Sequence, residues 1–324
     1  MGQPRRPRWA NPVFSFPRSR LPTWSHSSRG WRMALSVKDE VGISVGIDSY
    51  TFHRFFGEIT KWEEPSQEQW TLKDFFDFAD QQEVSFVSLQ TVYLKNEIDT
   101  FKVDIKNWLA KPNRTVVFTW GHPNGFDGGR KPEMLFDALY FLQVSHELGL
   151  PQMRIVLGNH WNFDMPVQER LETLRPLVQS MLVAAENFGI KISIENHADF
   201  LAVQLMDFIE EFNSPYLGLC LDLANVLRVG EKPEQLLRDF NLDKVFMIQA
   251  KDVRIIQGHE HPTGWWPSQF FGSGDVGLMN CMKVLKEKNF SSPVVAEISN
   301  LFTDLEVKEV AAQAVAYLAR ELNT

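Results

Sequence analysis

Four β-rich runs in this chain end in side chains able to do chemistry. They read Ser193-Ile194-Glu195-Asn196-His197, Cys220-Leu221-Asp222-Leu223-Ala224-Asn225, Ile248-Gln249-Ala250-Lys251-Asp252 and Ala296-Glu297-Ile298-Ser299. Two earlier runs lead into Trp120-Gly121-His122-Pro123 and Gly158-Asn159-His160. An isolated carboxylate is costly to bury in apolar surroundings, and three of them converging on one point repel each other. A bound divalent cation resolves both problems, and an all-oxygen ligand set suits Mn2+ or Mg2+. On that reasoning Glu195, Asp222, Gln249 and Glu297 form one metal site. The competing account has each carboxylate capping the helix that follows it or pairing with Lys251 or Arg254. Placement of all four on successive strands favours the shared site.

Such residues need elements that bring strand ends together. From residue 41 onward, short β-rich runs read Gly42–Ile47, Ser85–Leu89, Thr115–Thr119, Met153–Leu157, Lys191–Ile194, Leu217–Leu221, Val245–Ile248 and Pro293–Ala296. Most are apolar nearly throughout, as strands covered on both faces must be. Longer stretches with helical spacing separate them, among them Leu72–Phe78, Met134–Leu142, Val167–Phe188 and Val307–Leu322. Eight strand–helix units in about 280 residues fit an α/β fold closed as a (β/α)8 TIM barrel, in one domain over 41–324. No G-x-G-x-x-G follows the first run, which continues Gly46-Ile47-Asp48-Ser49-Tyr50, so a dinucleotide fold is not expected. Barrel enzymes keep their catalytic groups at the carboxyl ends of the strands. The irregular stretch Arg254–Gly274 is therefore expected to be an active-site loop.

The motifs I-E-N-H, G-L-C-L-D-L-A-N, Q-A-K-D, G-S-G-D-V and V-A-E-I, in that order over roughly 41–322, resemble the xylose isomerase-like TIM-barrel superfamily of sugar isomerases and epimerases. The resemblance implies one divalent ion, a carbohydrate or polyhydroxy-ketone substrate, and Glu195 and Glu297 as metal ligands that also move the proton, with Asp222 as a further ligand. The sequence departs from that pattern twice. Gln249 stands where a strand-seven His is usual, and Asn225 stands three residues after the strand-six Asp where a His is common. Gln is used at the first position by some 3-dehydroshikimate dehydratases of the superfamily. A metal-dependent lyase and an inactive sugar- or partner-binding barrel are therefore carried as alternatives. Expected substrate-binding groups are His122, His160, His197, Asn225, Lys251 and Arg254. His53 and Arg54 are weaker candidates after the first strand, His259 and His261 are expected in a solvated loop, and Trp265 and Trp266 as a lid wall or interface.

Composition bounds the rest. The net charge is −8. Residues 1–37 carry seven arginines and no acid, so the remaining 26 basic residues face 41 acids, a net of −15. An acidic body repels phosphate backbones, which weighs against nucleic acid as partner. No run of 18 apolar residues occurs, so no membrane span is expected. Cys220 and Cys281 are expected as reduced, buried thiols of a cytoplasmic enzyme, with a homo-oligomer left open. The first 37 residues are rich in Arg, Pro, Ser and Trp without periodicity. They are expected to be a disordered extension or sequence ahead of a start at Met33. Five prolines there oppose the amphipathic helix of a transit peptide.

Overall fold

A computed structural model describes residues 43–60, 63–94, 98–256, 266–301 and 305–323. These all fall in one compact unit, Val41–Thr324. The expected extension over residues 1–37 lies outside them, as do Gly42, His259, His261 and Trp265.

Eight parallel strands close into a barrel in sequence order. They are β1 (Val45–Asp48), β2 (Phe86–Gln90), β3 (Thr115–Trp120), β4 (Gln152–Ile155), β5 (Lys191–Glu195), β6 (Leu217–Asp222), β7 (Val245–Ala250) and β8 (Val294–Ala296). β1 pairs with β8, which completes the closure. Around the barrel run α1 (Leu72–Gln81), α2 (Ile98–Leu109), α3 (Leu135–Leu148), α4 (Val167–Phe188), α5 (Ala202–Glu210), α6 (Leu223–Arg228), α7 (Pro233–Asp239), α8 (Leu278–Glu287) and α9 (Val307–Asn323). Local chemistry explains the boundaries. Thr71 and Asp74 form a capping box at the start of α1, while Gly149 and Gly189, both in the left-handed region, end α3 and α4. The strands are buried along almost their whole length, because helices cover one side and the barrel's own interior the other.

Side chains alternate along a strand, which sorts the interior into layers. Phe86, Val117, Cys220, Met247 and Val295 form one small buried apolar cluster. Two residues further along the same strands stand Ser88, Thr119, Asp222, Gln249 and Glu297. The apolar layer therefore acts as a floor beneath a polar one. Gly46 is required in that floor, since a Cβ there would lie 2.7 Å from the Phe86 ring and 3.2 Å from Val295. Cys220 and Cys281 are both buried and free. Among the described residues no helix is long and apolar enough to cross a membrane.

Candidate active site

The inward face of the last strand residues carries four acids. Asp48 closes β1, Glu195 closes β5, Asp222 closes β6, and Glu297 follows β8; all are at most 3% exposed. Asp48 is held by donors, accepting from Ser88 Oγ at 2.5 Å, Tyr50 N at 2.8 Å and Gln90 Nε2 at 3.3 Å. Asp222 also caps α6, its Oδ1 accepting from Ala224 N and Asn225 N, each at 2.9 Å. Asn225 Nδ2 then bridges Asp222 Oδ2 at 2.9 Å and Glu195 Oε1 at 3.3 Å.

Two buried cations stand among these acids. Arg154, an inward residue of β4, pairs with Glu195 through one guanidinium nitrogen and lies 3.8 Å from Asp48 Oδ2 through the other. Lys251 Nζ lies 2.9 Å from Asp222 Oδ2 and also pairs with Glu297. Gln249 donates its Nε2 to Glu297, and its buried Oε1 has no partner. Burial pushes the Glu297 carboxyl up to about 7, against the pull of Lys251, which places it in the range useful to a general base or acid at neutral pH. Burial works to lower the Lys251 ammonium, and Asp222 with Glu297 more than offsets it, so the group is held above its ordinary value.

These residues border a cavity of about 320 Å³. Glu195, Glu297, Lys251, Arg154, Asn225, His122, His160 and His197 line it, with Tyr50, Gln90, Arg228 and Trp266. Asp222 and Gln249 do not line it. β5 ends at Glu195, and Ala198 adopts a positive φ of 58°. His197 lies on the cavity wall beyond this turn. Its Nδ1 meets the Gly158 carbonyl at 2.9 Å, and burial holds the ring well below its ordinary pKa and hence neutral. His122 Nε2 is 2.6 Å from Glu58 Oε1, whose second oxygen accepts from Tyr93 Oη at 2.7 Å. His160 is lowered by burial and by Arg228.

The expectations divide accordingly. The two glutamates, three histidines, Asn225 and Lys251 share one cavity. Arg254 does not: it is exposed and donates to the Ser273 carbonyl at 2.9 Å. The backbone beyond β7 is pinned by Asp252, and the Arg254 side chain is spent on the loop itself. His53 is buried against Glu63, and Arg54 caps the Glu64 carbonyl. Asp48, Tyr50, Arg154, Arg228 and Glu58 escaped the sequence reading. An arginine inside the apolar run Met153–Leu157 and an acid closing Gly42–Ile47 were the available signals.

The four expected ligands surround one region, where Lys251 pairs with Asp222 and Glu297 and Arg154 pairs with Glu195. Among the described residues, no group of three or more His, Cys, Asp or Glu side chains could hold a metal. The physical reason is that Lys251 stands between Asp222 and Glu297, and Arg154 engages Glu195. The carboxylates find their countercharge in side chains, as the competing account allowed for Lys251.

The chain belongs to the xylose isomerase-like TIM barrel family, whose model matches residues 96–321. It is 22% identical over 152 residues to the uncharacterized protein MJ1311 of Methanocaldococcus jannaschii, matching 44% of this chain and 49% of that one. The chain thus spans about half the length of this curated relative. Its fold is similar to that of an L-ribulose 3-epimerase, with a TM-score of 0.67 and 15% identity over 87% of this chain and 95% of that one. It is similar also to the IolI protein with a binding zinc atom, at 0.63 and 17% over 87% and 100%. A D-allulose 3-epimerase from a Methylomonas species, solved in complex with D-allulose, follows at 0.61 and 14% over 86% and 97%.

Proposed function

We propose that this chain is a sugar isomerase or epimerase that moves a proton on the carbon next to a carbonyl, with Glu195 and Glu297 as the acid/base pair. One observation carries the reading: two buried carboxyl groups face a single polar cavity from β5 and β8, each held beside a cation and one of them, Glu297, raised to about 7. One carboxylate takes the carbon-bound proton. The C–H electron pair becomes the double bond of an enediolate, and the carbonyl π pair moves onto oxygen. Proton return from the other carboxylic acid to the opposite face gives the epimer; return to the neighbouring carbon, with the hydroxyl proton of the first carbon passing to the former carbonyl oxygen, gives the isomer. His122, His160, His197 and Asn225 offer partners for substrate hydroxyls. The kinship with epimerase folds, one of them holding D-allulose, supports a small polyhydroxy ketone as substrate. A cationic group at the carbonyl oxygen must stabilise the enediolate.

The test is incubation of the full chain with a panel of ketoses and aldoses in D2O. Deuterium should appear at the carbon beside the carbonyl. Efficient dehydration of a β-hydroxy ketone such as 3-dehydroshikimate, with no sugar exchanging, would favour the lyase alternative, because a shared first step would then end in loss of hydroxide. No turnover of either kind would leave a binding barrel.

A further inference from the structure

We infer that the positive charge at this centre is built into the chain: the Lys251 ammonium and the Arg154 guanidinium take the place of a divalent ion, and Lys251 is the group that holds the substrate's carbonyl oxygen. The chemical half of this inference rests on the proton-transfer reading above; the half concerning the cation stands by itself.

Position comes first. Lys251 Nζ bonds Asp222 Oδ2 at 2.9 Å and Glu297 Oε1. Those are two of the carboxylates an ion would have to share, so an ion entering there meets an ammonium already seated between them. The third shared carboxylate, Glu195, is engaged by Arg154. Charge agrees with position. Among the four acids Asp48, Glu195, Asp222 and Glu297, Lys251 and Arg154 bring two positive charges, the charge of a divalent ion. Gln249 donates its Nε2 to Glu297, while its buried Oε1 has no hydrogen-bond partner. The cavity supplies the last point. Lys251 lines it, while Asp222 and Gln249 do not. An ammonium has three donors and no acceptor. Two go to Asp222 and Glu297, which leaves a third for an oxygen in the cavity. That N–H can hold the oxygen as the carbonyl π pair moves onto it, doing the work of an oxyanion-hole donor.

The experiment titrates Mn2+ into the full chain purified without chelator, by calorimetry and by the electron spin resonance of free Mn2+, after elemental analysis of the protein as isolated. The expected result is no stoichiometric divalent metal and no saturable Mn2+ site in the parent. Lys251→Ala should acquire a Mn2+ site at least about tenfold tighter than the limit the parent titration sets, equivalent to about 1.4 kcal/mol, because Asp222 and Glu297 have lost their countercharge. A parent that binds one Mn2+ tightly, with an affinity that Lys251→Ala leaves unchanged or weakens, overturns the inference. The reaction gives a second readout. Deuterium exchange should survive EDTA, fall about 10²- to 10³-fold in Lys251→Ala, and be partly restored by ethylammonium but not by tetramethylammonium, which carries charge without an N–H. Exchange abolished by EDTA and restored by Mn2+ overturns the inference while leaving the proton-transfer reading intact. Absence of exchange with every ketose sinks that reading, and the Mn2+ titration still decides the cation. Thermal melting controls for folding, and Lys251→Met repeats the titration with more of the stem volume kept.

Discussion

Lys251 Nζ stands 2.9 Å from Asp222 Oδ2, and the same nitrogen pairs with Glu297, so one side chain from beyond β7 joins the ends of β6 and β8. Arg154 does the equivalent on the other side, joining β4 to Glu195 of β5 and approaching Asp48 of β1. The mouth of the barrel is thus held by charge where its floor is held by apolar contact.

Glu297→Gln should keep the fold and lose the reaction. The amide replaces the carboxylate at nearly the same volume but cannot accept the carbon-bound proton. Isotope exchange should fall by about 10²- to 10⁴-fold, the usual contribution of a general base. An unchanged exchange rate in a folded variant would remove Glu297 from the acid/base pair.

Arg154→Met should destabilise the barrel strongly, because it leaves Glu195 buried without its partner. Breaking a buried ion pair from one side typically costs about 3–5 kcal/mol. The double variant Arg154→Met with Glu195→Met should recover most of that loss, since no lone charge remains. Urea midpoints of the two singles and the double give the comparison. Additive losses would show that the pair is not coupled.

Asp199 gives a stability signature in pH. Burial pushes its carboxyl from 3.8 up to about 6, against the pull of its own backbone N–H and of Arg170. The folded state therefore binds this proton more tightly than the unfolded chain does. The stabilisation is complete below about pH 4 and is lost as pH rises through 6, about 3 kcal/mol in all. Asp199→Asn cannot titrate, so its stability relative to the parent should improve by roughly that amount between pH 4 and pH 7. A difference independent of pH would place the ordinary carboxyl value in the fold.

Deleting residues 1–32 should leave the thermal transition and the isotope exchange of the barrel unchanged. The segment carries no apolar periodicity, and the compact barrel unit is Val41–Thr324. Aggregation or a lowered transition in the shortened chain would contradict this.

The barrel was legible in the sequence because covered strands need unbroken apolar runs, and eight of them recur at regular spacing. The acids at the ends of β5, β6 and β8 were legible for the complementary reason, that a costly group at the end of such a run needs a purpose. What satisfies those acids was harder to read. Lys251 follows β7 by one residue and was expected to touch substrate, but its part as countercharge depends on distances across three strands. Arg154 lies between Met153 and Ile155 inside an apolar run, and only the register of the closed barrel shows that it faces inward towards Glu195. Arg254, equally plausible by type, is drawn off to the Ser273 carbonyl.

The chain beyond β7 leaves and returns through a clasp. Gly272 N and Gly274 N donate to Asp252 Oδ2 at 2.8 and 3.0 Å, Val253 bridges Ser268, and Arg254 N bonds the Pro267 carbonyl at 3.0 Å. At Gly274 a Cβ would overlap the Asp252 carboxylate, so the clasp closes only around glycine. Both ends of the excursion are fixed to one point, and lengthening a closed excursion adds little entropy, about 0.6 kcal/mol for each doubling. Its length and composition can therefore diverge, or be exchanged by an engineer, while Lys251 on the barrel side of the clasp keeps its place.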